Sequence, residues 1–401
     1  MLRNCDSRSM MNMPTHIDFA TMSPDACLAY LKKALPPHPR YSNLTTLSHI
    51  KTAIKEKPEV MSDDPYFDDF NRELSSGTIT RIFSQGSDLD RPADYEQDVF
   101  DLIVRELKGL VIEFLPDPLR RYVDRQVAIG VLHTTEVNAI VFPALNGHVI
   151  ILNRGLLSLI DKFFYGYVLF MSRMKGKGAV SPQDSSVHML ISNLYQILAT
   201  YVLTGVPSGA HDHAIMTTTI GEGFHDFHLI YVVHTVCFII GHEIGHIKKK
   251  HFESSPLVLR TLHNIVFEAF RTSFDHEFEA DEEADRIVTA MIRKGNVAGK
   301  SGHLKTAAKT SPIVFFMLLD LLEKVSGSVL GRQSTSETHP RPFDRVELLR
   351  KKRSATGNSS LEDDMFCRGV MALFDLFWQY IQKYNQRLRE EMMRKEQEPK
   401  P

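Results

Sequence analysis

The chain has 401 residues, a formal net charge of -2, 43% hydrophobic and 24% charged residues. That length and apolar share allow a large core in one or two domains, and the near-zero charge gives no electrostatic case for a nucleic-acid partner. The four cysteines (Cys5, Cys27, Cys237, Cys367) are scattered without a C-x-x-C pair, which excludes a cysteine zinc site and a disulfide framework and fits a reducing compartment.

In chain order, residues 1–92 form an N-terminal region with little regular pattern. It holds a short helix from Ser23 or Pro24 to about Ala34, stopped by Pro36-Pro37-His38-Pro39, and one or two short polar helices are expected over 47–93, ending in the turn-rich stretch Ser84–Pro92. No apolar run at the start has the form of a signal peptide. Tyr95, Val99, Leu102, Ile103, Leu107, Leu110 and Val111 recur at helical spacing. Val127–Val131, Val137–Phe142 and Val149–Leu152 read as strands, the last two joined at Asn146-Gly147, a hairpin-type turn. An edge strand here could hold an extended peptide by its main chain. A helix opens at Gly155, and Lys175–Ser186 reads as a loop. His188–Leu203 reads as a helix and Gly205–Gly223 as a polar loop. That loop contains His211-Asp212-His213, which is a solvated segment unless a third fixed ligand joins it.

Leu229, Ile230, Val233, Val236, Cys237, Ile240, Ile244 and Ile247 then mark a core helix. It is too short in uninterrupted apolar residues to span a membrane, so no integral membrane segment is expected and the location is cytoplasmic. This helix carries His242-Glu243-Ile244-Gly245-His246. Residues i and i+4 share a helix face, so His242 and His246 can turn two imidazoles to one metal ion. Glu243 projects about 100° round the helix, within reach of a water on that metal.

The H-E-x-x-H pattern alone arises by chance; a third ligand makes it specific. Phe274–Asp285 supplies one, because Glu277 and Asp281 also lie four apart. Glu277 completes a His-His-Glu set that leaves a fourth zinc position to water. Asp281 can accept from a ligating imidazole and fix its tautomer. Glu279, Glu282, Glu283 and Asp285 read as solvated helix surface. Further on, 294–301 is one residue short of a phosphate loop and is rejected. Ser311-Pro312 reads as the start of a helix to Val325, Ser326–Glu337 as a loop, and Leu361 to about Lys395 as an amphipathic helix with a charged tail.

Three segments in order resemble the M48-type zinc metallopeptidases of the gluzincin group. They are Val137-Asn138-Ala139-Ile140-Val141-Phe142-Pro143 with Gly147 and Arg154-Gly155-Leu156-Leu157; the H-E-x-x-H and Glu277-Phe278-Glu279-Ala280-Asp281 pair; and Thr338-His339-Pro340 with Asp344-Arg345-Val346-Glu347-Leu348-Leu349. The resemblance implies one Zn2+ per chain held by His242, His246 and Glu277, with Glu243 as catalytic base. It also implies that His339 and Arg345 lie near the cleft, with His339 a candidate oxyanion donor or a structural histidine. The strand at Asn138 and Ala139 would be the substrate-binding edge.

The fold implied is α+β, mainly α-helical: a zincin-like metallopeptidase core over 93–352 with a small antiparallel sheet ahead of the H-E-x-x-H helix, a helical insertion at 161–228, and a C-terminal helix and tail over 353–401. The expected activity is hydrolysis of peptide bonds in an intracellular protein substrate. The alternative is a latent or non-catalytic sensor on the same scaffold, opened by a regulatory partner. Two departures qualify the likeness: the long stretch between Leu157 and the zinc helix, and the lack of the membrane-spanning helices of the best-known members. The chain also looks like the soluble phage-exclusion (Lit-like) peptidases.

Overall fold

The computed structural model describes residues 17–35, 94–132, 134–174, 185–204, 224–262, 265–270, 272–294, 302–330, 339–358 and 360–397. The polar helices expected over 47–93, the loop with His211-Asp212-His213 and the rejected phosphate-loop segment from 295 lie outside them. After a 3-10 turn at Phe19–Thr21, the elements are α1 (Pro24–Ala34), α2 (Asp94–Ile112), α3 (Asp117–Gln126), β1 (Val127–Leu132), β2 (Ala139–Ala144), β3 (Gly147–Asn153), α4 (Arg154–Met174) and α5 (Ser185–Thr204). They continue with α6 (Phe224–Lys248), the single turn α7 (His251–Ser254), β4 (Leu257–Leu262), β5 (Ile265–Phe270), α8 (Phe274–Lys294), α9 (Gly302–Leu330), α10 (Pro342–Ala355) and α11 (Leu361–Gln397). The fold is α+β and mainly helical.

The three-stranded sheet corrects one expectation. Its order is β1-β3-β2, with β2 antiparallel and β1 parallel to β3, so it is mixed rather than antiparallel. The connection from β1 lets β2 skip one strand position, and the tight turn at Asn146 (φ 58°) brings β3 back into the gap. Both faces are buried, so the alternation along each strand sorts residues between two cores. Ile150 and Leu152 face the helical body, while Val149 and Ile151 face α1, which packs Leu28 and Leu31 against them. Ser23 caps α1 by accepting from Ala26 N at 3.3 Å, with Pro24 in the first turn.

Helix α6 is the centre of the molecule. It packs on α8, α9, α4 and α2 and touches β2 and β3, which is why it is apolar all round rather than on one stripe. Two helices, over Arg154–Ser172 and Asp226–Lys248, have the length and hydropathy to cross a membrane, but 78% of each apolar window is buried inside this fold. Of the segment 161–228, the helical parts in α4 and α5 are built into the main core through Phe163, Phe164, Tyr167, Leu194 and Leu198; they do not form a separate cover.

Two helix boundaries depart from the sequence reading. Ser311-Pro312 does not start a helix: Pro312 sits inside α9. Proline lacks the N–H that would bond the carbonyl one turn back. The Ser311 hydroxyl donates to that carbonyl, Ala308 O, at 2.8 Å, and the Thr310 hydroxyl donates to Thr306 O at 2.8 Å. The same helix runs on through Ser326 to Leu330, where a loop was expected.

Candidate metal centre

Helices α6 and α8 build the site. Gly241 and Gly245 lie against Ala284 and Ala280, so the two backbones approach more closely than side chains would allow. That approach brings His242 and His246 opposite Glu277 and Asp281. His246 Nε2 lies 3.1 Å from His242 Nε2. Glu277 lies 3.5 Å from His242 Nε2 through Oε2 and 3.6 Å from His246 Nε2 through Oε1. Among the described residues, these three form the group of ligand atoms close enough to hold one metal ion.

The spacing of these atoms suits a metal ion. A tetrahedral ion with bonds of about 2.0–2.1 Å separates neighbouring donors by roughly 3.3–3.4 Å; the two imidazole nitrogens stand 3.1 Å apart, and each has a different Glu277 oxygen at 3.5 or 3.6 Å. Glu277 Oε2 is also buried without a hydrogen bond of good geometry, although His339 Nδ1 stands 3.0 Å from it. A buried carboxylate oxygen left in that condition is costly unless a cation serves it.

Around the three donors stands a second ring of contacts. Asp281 Oδ1 is 2.9 Å from His242 Nδ1. Arg345, on α10, clamps Asp281 from Nε at 2.7 Å and Nη2 at 2.5 Å, and stacks its guanidinium on Phe316 at 4.3 Å. Burial opposes charge on His242, but Asp281 and Glu277 outweigh it and raise its pKa to about 10. A cation at Nε2 would take the place of that proton. Burial also works against the carboxylates, yet His242 and His339 hold Glu277 well below its ordinary value, and Arg345 holds Asp281 down. His246 is pushed well down by burial, so its imidazole is neutral and available to a metal. Burial pushes Glu243 up to about 7 against the pull of His242. Its further coupling to Glu277, His339 and Arg345 puts it among the same side chains.

The structure thus brings His242, Glu243, His246, Glu277, Asp281, His339 and Arg345 to one place. His339 stands at the mouth with 45% of its side chain exposed, whereas Glu277 is buried beneath it. Asn138 and Ala139 divide a task that the sequence reading gave them jointly. Asn138 O accepts from Asn153 N at 3.3 Å and from Asn153 Nδ2 at 3.1 Å, so its main chain faces β3. Ala139, the next residue in an antiparallel ladder, turns its N–H and C=O to the outer side of β2.

Sequence reasoning missed two features. Glu283 and Asp285 are not solvated: they are 5% and 9% exposed and paired to Lys248 (2.6 Å) and to Arg353 respectively. His251 is buried, with its Nδ1 2.8 Å from His246 Nδ1. Glu279 is half exposed, as expected, but its Oε2 lies 3.2 Å from His251 Nε2. The spacing of His251 from His246 follows no helical rule, because a turn intervenes.

Two histidines one turn apart, a carboxylate from a second helix and an acid beside them are a donor set of the kind that metal-dependent hydrolases use. Residues 229–353 match the model of peptidase family M48. No curated protein and no solved structure matches the chain.

Proposed function

We propose that the protein is a zinc-dependent endopeptidase acting on an intracellular protein. The observation that carries this reading is the buried cluster of His242, His246 and Glu277, with the two Nε2 atoms 3.1 Å apart and one carboxylate oxygen beside each, at 3.5 and 3.6 Å, next to the buried acid Glu243. Bound zinc supplies a Lewis acid that polarises the scissile carbonyl and brings the pKa of water toward neutrality. Glu243 takes the proton from the attacking water and delivers it to the leaving amine nitrogen. Its partly raised pKa suits a group that must accept a proton and then release it. Asp281 and Arg345 hold His242 in one orientation. His339, its Nδ1 held against Glu277, supplies a donor at the mouth of the site for the developing oxyanion. The substrate backbone lies along β2, where Ala139 offers its outward N–H and C=O.

The test is Glu243→Gln beside wild type, with zinc per chain and cleavage of casein or a peptide library read on both. One zinc in each, with cleavage reduced at least about 100-fold in the variant, is expected. Undiminished cleavage by Glu243→Gln would remove the base from the mechanism.

A further inference from the structure

His251 belongs to no part of the machinery above, yet it is buried at 3% exposure and touches a metal ligand. Its position comes from a local backbone device. Helix α6 ends at Lys248, and Lys250 adopts φ 56°, ψ 36°, a left-handed conformation that a non-glycine residue takes at a cost of about 1 kcal/mol. That turn reverses the chain and starts α7 with His251 folded back under His246. The ring of His276 stacks on His251 at 4.2 Å with planes 11° apart, and His276 Nδ1 is in turn 3.3 Å from Ser255 Oγ. The plane of His251 is therefore fixed from one side by α8.

Proton placement follows from the partners. Glu279 Oε2, 3.2 Å from His251 Nε2, is an acceptor only, so Nε2 carries a hydrogen. Neutral imidazole has one such hydrogen, so His251 Nδ1 is an acceptor. The nitrogen 2.8 Å away, His246 Nδ1, must then be the donor. His246 Nε2 is left with its lone pair, and Nε2 is the atom that faces His242 and Glu277. His242 gets the same service from Asp281 on the opposite side of the site.

We propose that His251 and Glu279 are positioning residues for the metal: they fix the tautomer and ring angle of His246 and so set the affinity of the site. The inference rests on the reading of His242, His246 and Glu277 as metal ligands. A histidine backed by a surface carboxylate stands where Asp281 stands for the other ligand, and the Glu279 end is half open to solvent.

The experiment is zinc competition against a chromophoric chelator, using full-length wild type, His251→Leu, His251→Asn and Glu279→Ala, with the thermal midpoint of each apoprotein measured alongside. The asparagine amide oxygen can stand near the position of Nδ1 and accept from His246; leucine cannot. The expected result is a zinc dissociation constant raised about 10–100-fold in His251→Leu, largely restored in His251→Asn, and raised to a smaller extent in Glu279→Ala. Glu279→Ala alters an exposed helix position, so it gives an answer even if His251→Leu does not fold. Wild-type affinity in both His251→Leu and Glu279→Ala overturns the proposal. So does an equal loss in the leucine and asparagine variants that follows the apoprotein midpoint, since that would reduce His251 to packing. Wild type that holds no more zinc than its His246→Ala control would be a different failure: it would remove the metal centre itself.

Discussion

Replacing Gly245 by alanine tests whether the approach of α6 to α8 is what shapes the metal site. A Cβ built at Gly245 meets Ala280 Cα at 2.9 Å, Ala280 O at 3.0 Å and Ala280 Cβ at 3.3 Å. Carbon atoms in ordinary contact sit about 3.5–4.0 Å apart, so α8 must retreat by roughly 0.6 Å. The obstacle is backbone, which cannot swing aside. Overpacking of this kind costs about 1–3 kcal/mol, and the gain in helix propensity on replacing glycine returns about 1 kcal/mol. Net stability therefore falls modestly. The metal site is affected more strongly, because Glu277 lies one turn before Ala280 on the same helix and donor distances tolerate only about 0.2 Å.

The expected result for Gly245→Ala is a folded protein whose apo midpoint falls by a few degrees and whose zinc affinity falls about 10–100-fold. Gly241→Ala provides a graded comparison. Its nearest contacts are Ala284 Cα at 3.2 Å and a movable Ile287 methyl at 3.4 Å, and they are one turn further from Glu277. Chelator competition on both variants decides the matter. Wild-type affinity in Gly245→Ala, or an equal loss in Gly241→Ala, would refute the reasoning.

Arg345→Met should destabilise the protein by about 3–5 kcal/mol, because it strands Asp281 as a buried charge without its clamp; a change below about 1 kcal/mol in denaturant titration would count against this. His234, fully buried and bonded at Nδ1 to Ile230 O (2.9 Å), has its pKa pushed down to about 4 by burial. The unfolded chain then binds the proton first as pH falls, so stability is lost between about pH 6.5 and 4, by up to about 3 kcal/mol. His234→Leu should flatten that slope in unfolding measured across the window, and an unchanged slope would exclude His234 as its source.

The candidate site was legible because each pair obeys one local rule: residues four apart on a helix share a face. His242 with His246, and Glu277 with Asp281, needed nothing beyond that spacing and the apolar pattern of α6 and α8. Helix α1 was legible from Ser23-Pro24, and the β2–β3 hairpin from Asn146-Gly147. The misses share a different cause. Whether an acid on α8 is solvated depends on cations far away in sequence: Arg353 for Asp285 and Lys248 for Glu283. The parallel pairing of β1 depends on which gap β3 enters. Helix α3 and the β4–β5 hairpin carry no period long enough to identify. His251 depends on a left-handed residue that is a lysine, where sequence rules look for glycine.

The distribution of charge on α8 explains why one side of this helix is suited to a metal. Its far side buries Glu283 and Asp285, and the chain supplies each with its own cation: Lys248 and Arg286 for the first, Arg353 for the second. The side toward α6 buries Glu277 and Asp281, with Glu243 facing them from α6. There the described guanidinium is Arg345, and it is committed to Asp281, standing 3.9 Å from Glu277. A metal at Nε2 would displace the proton that Asp281 and Glu277 otherwise hold on His242, and Glu277, Asp281 and Glu243 would then face one fixed cation. Such a surplus is expensive in a low-dielectric interior unless something positive enters. A divalent ion between His242, His246 and Glu277 would supply the missing charge. The same fold that neutralises every other buried acid on α8 thus leaves the demand for positive charge at His242, His246 and Glu277, where a proton on His242 or a divalent ion can meet it.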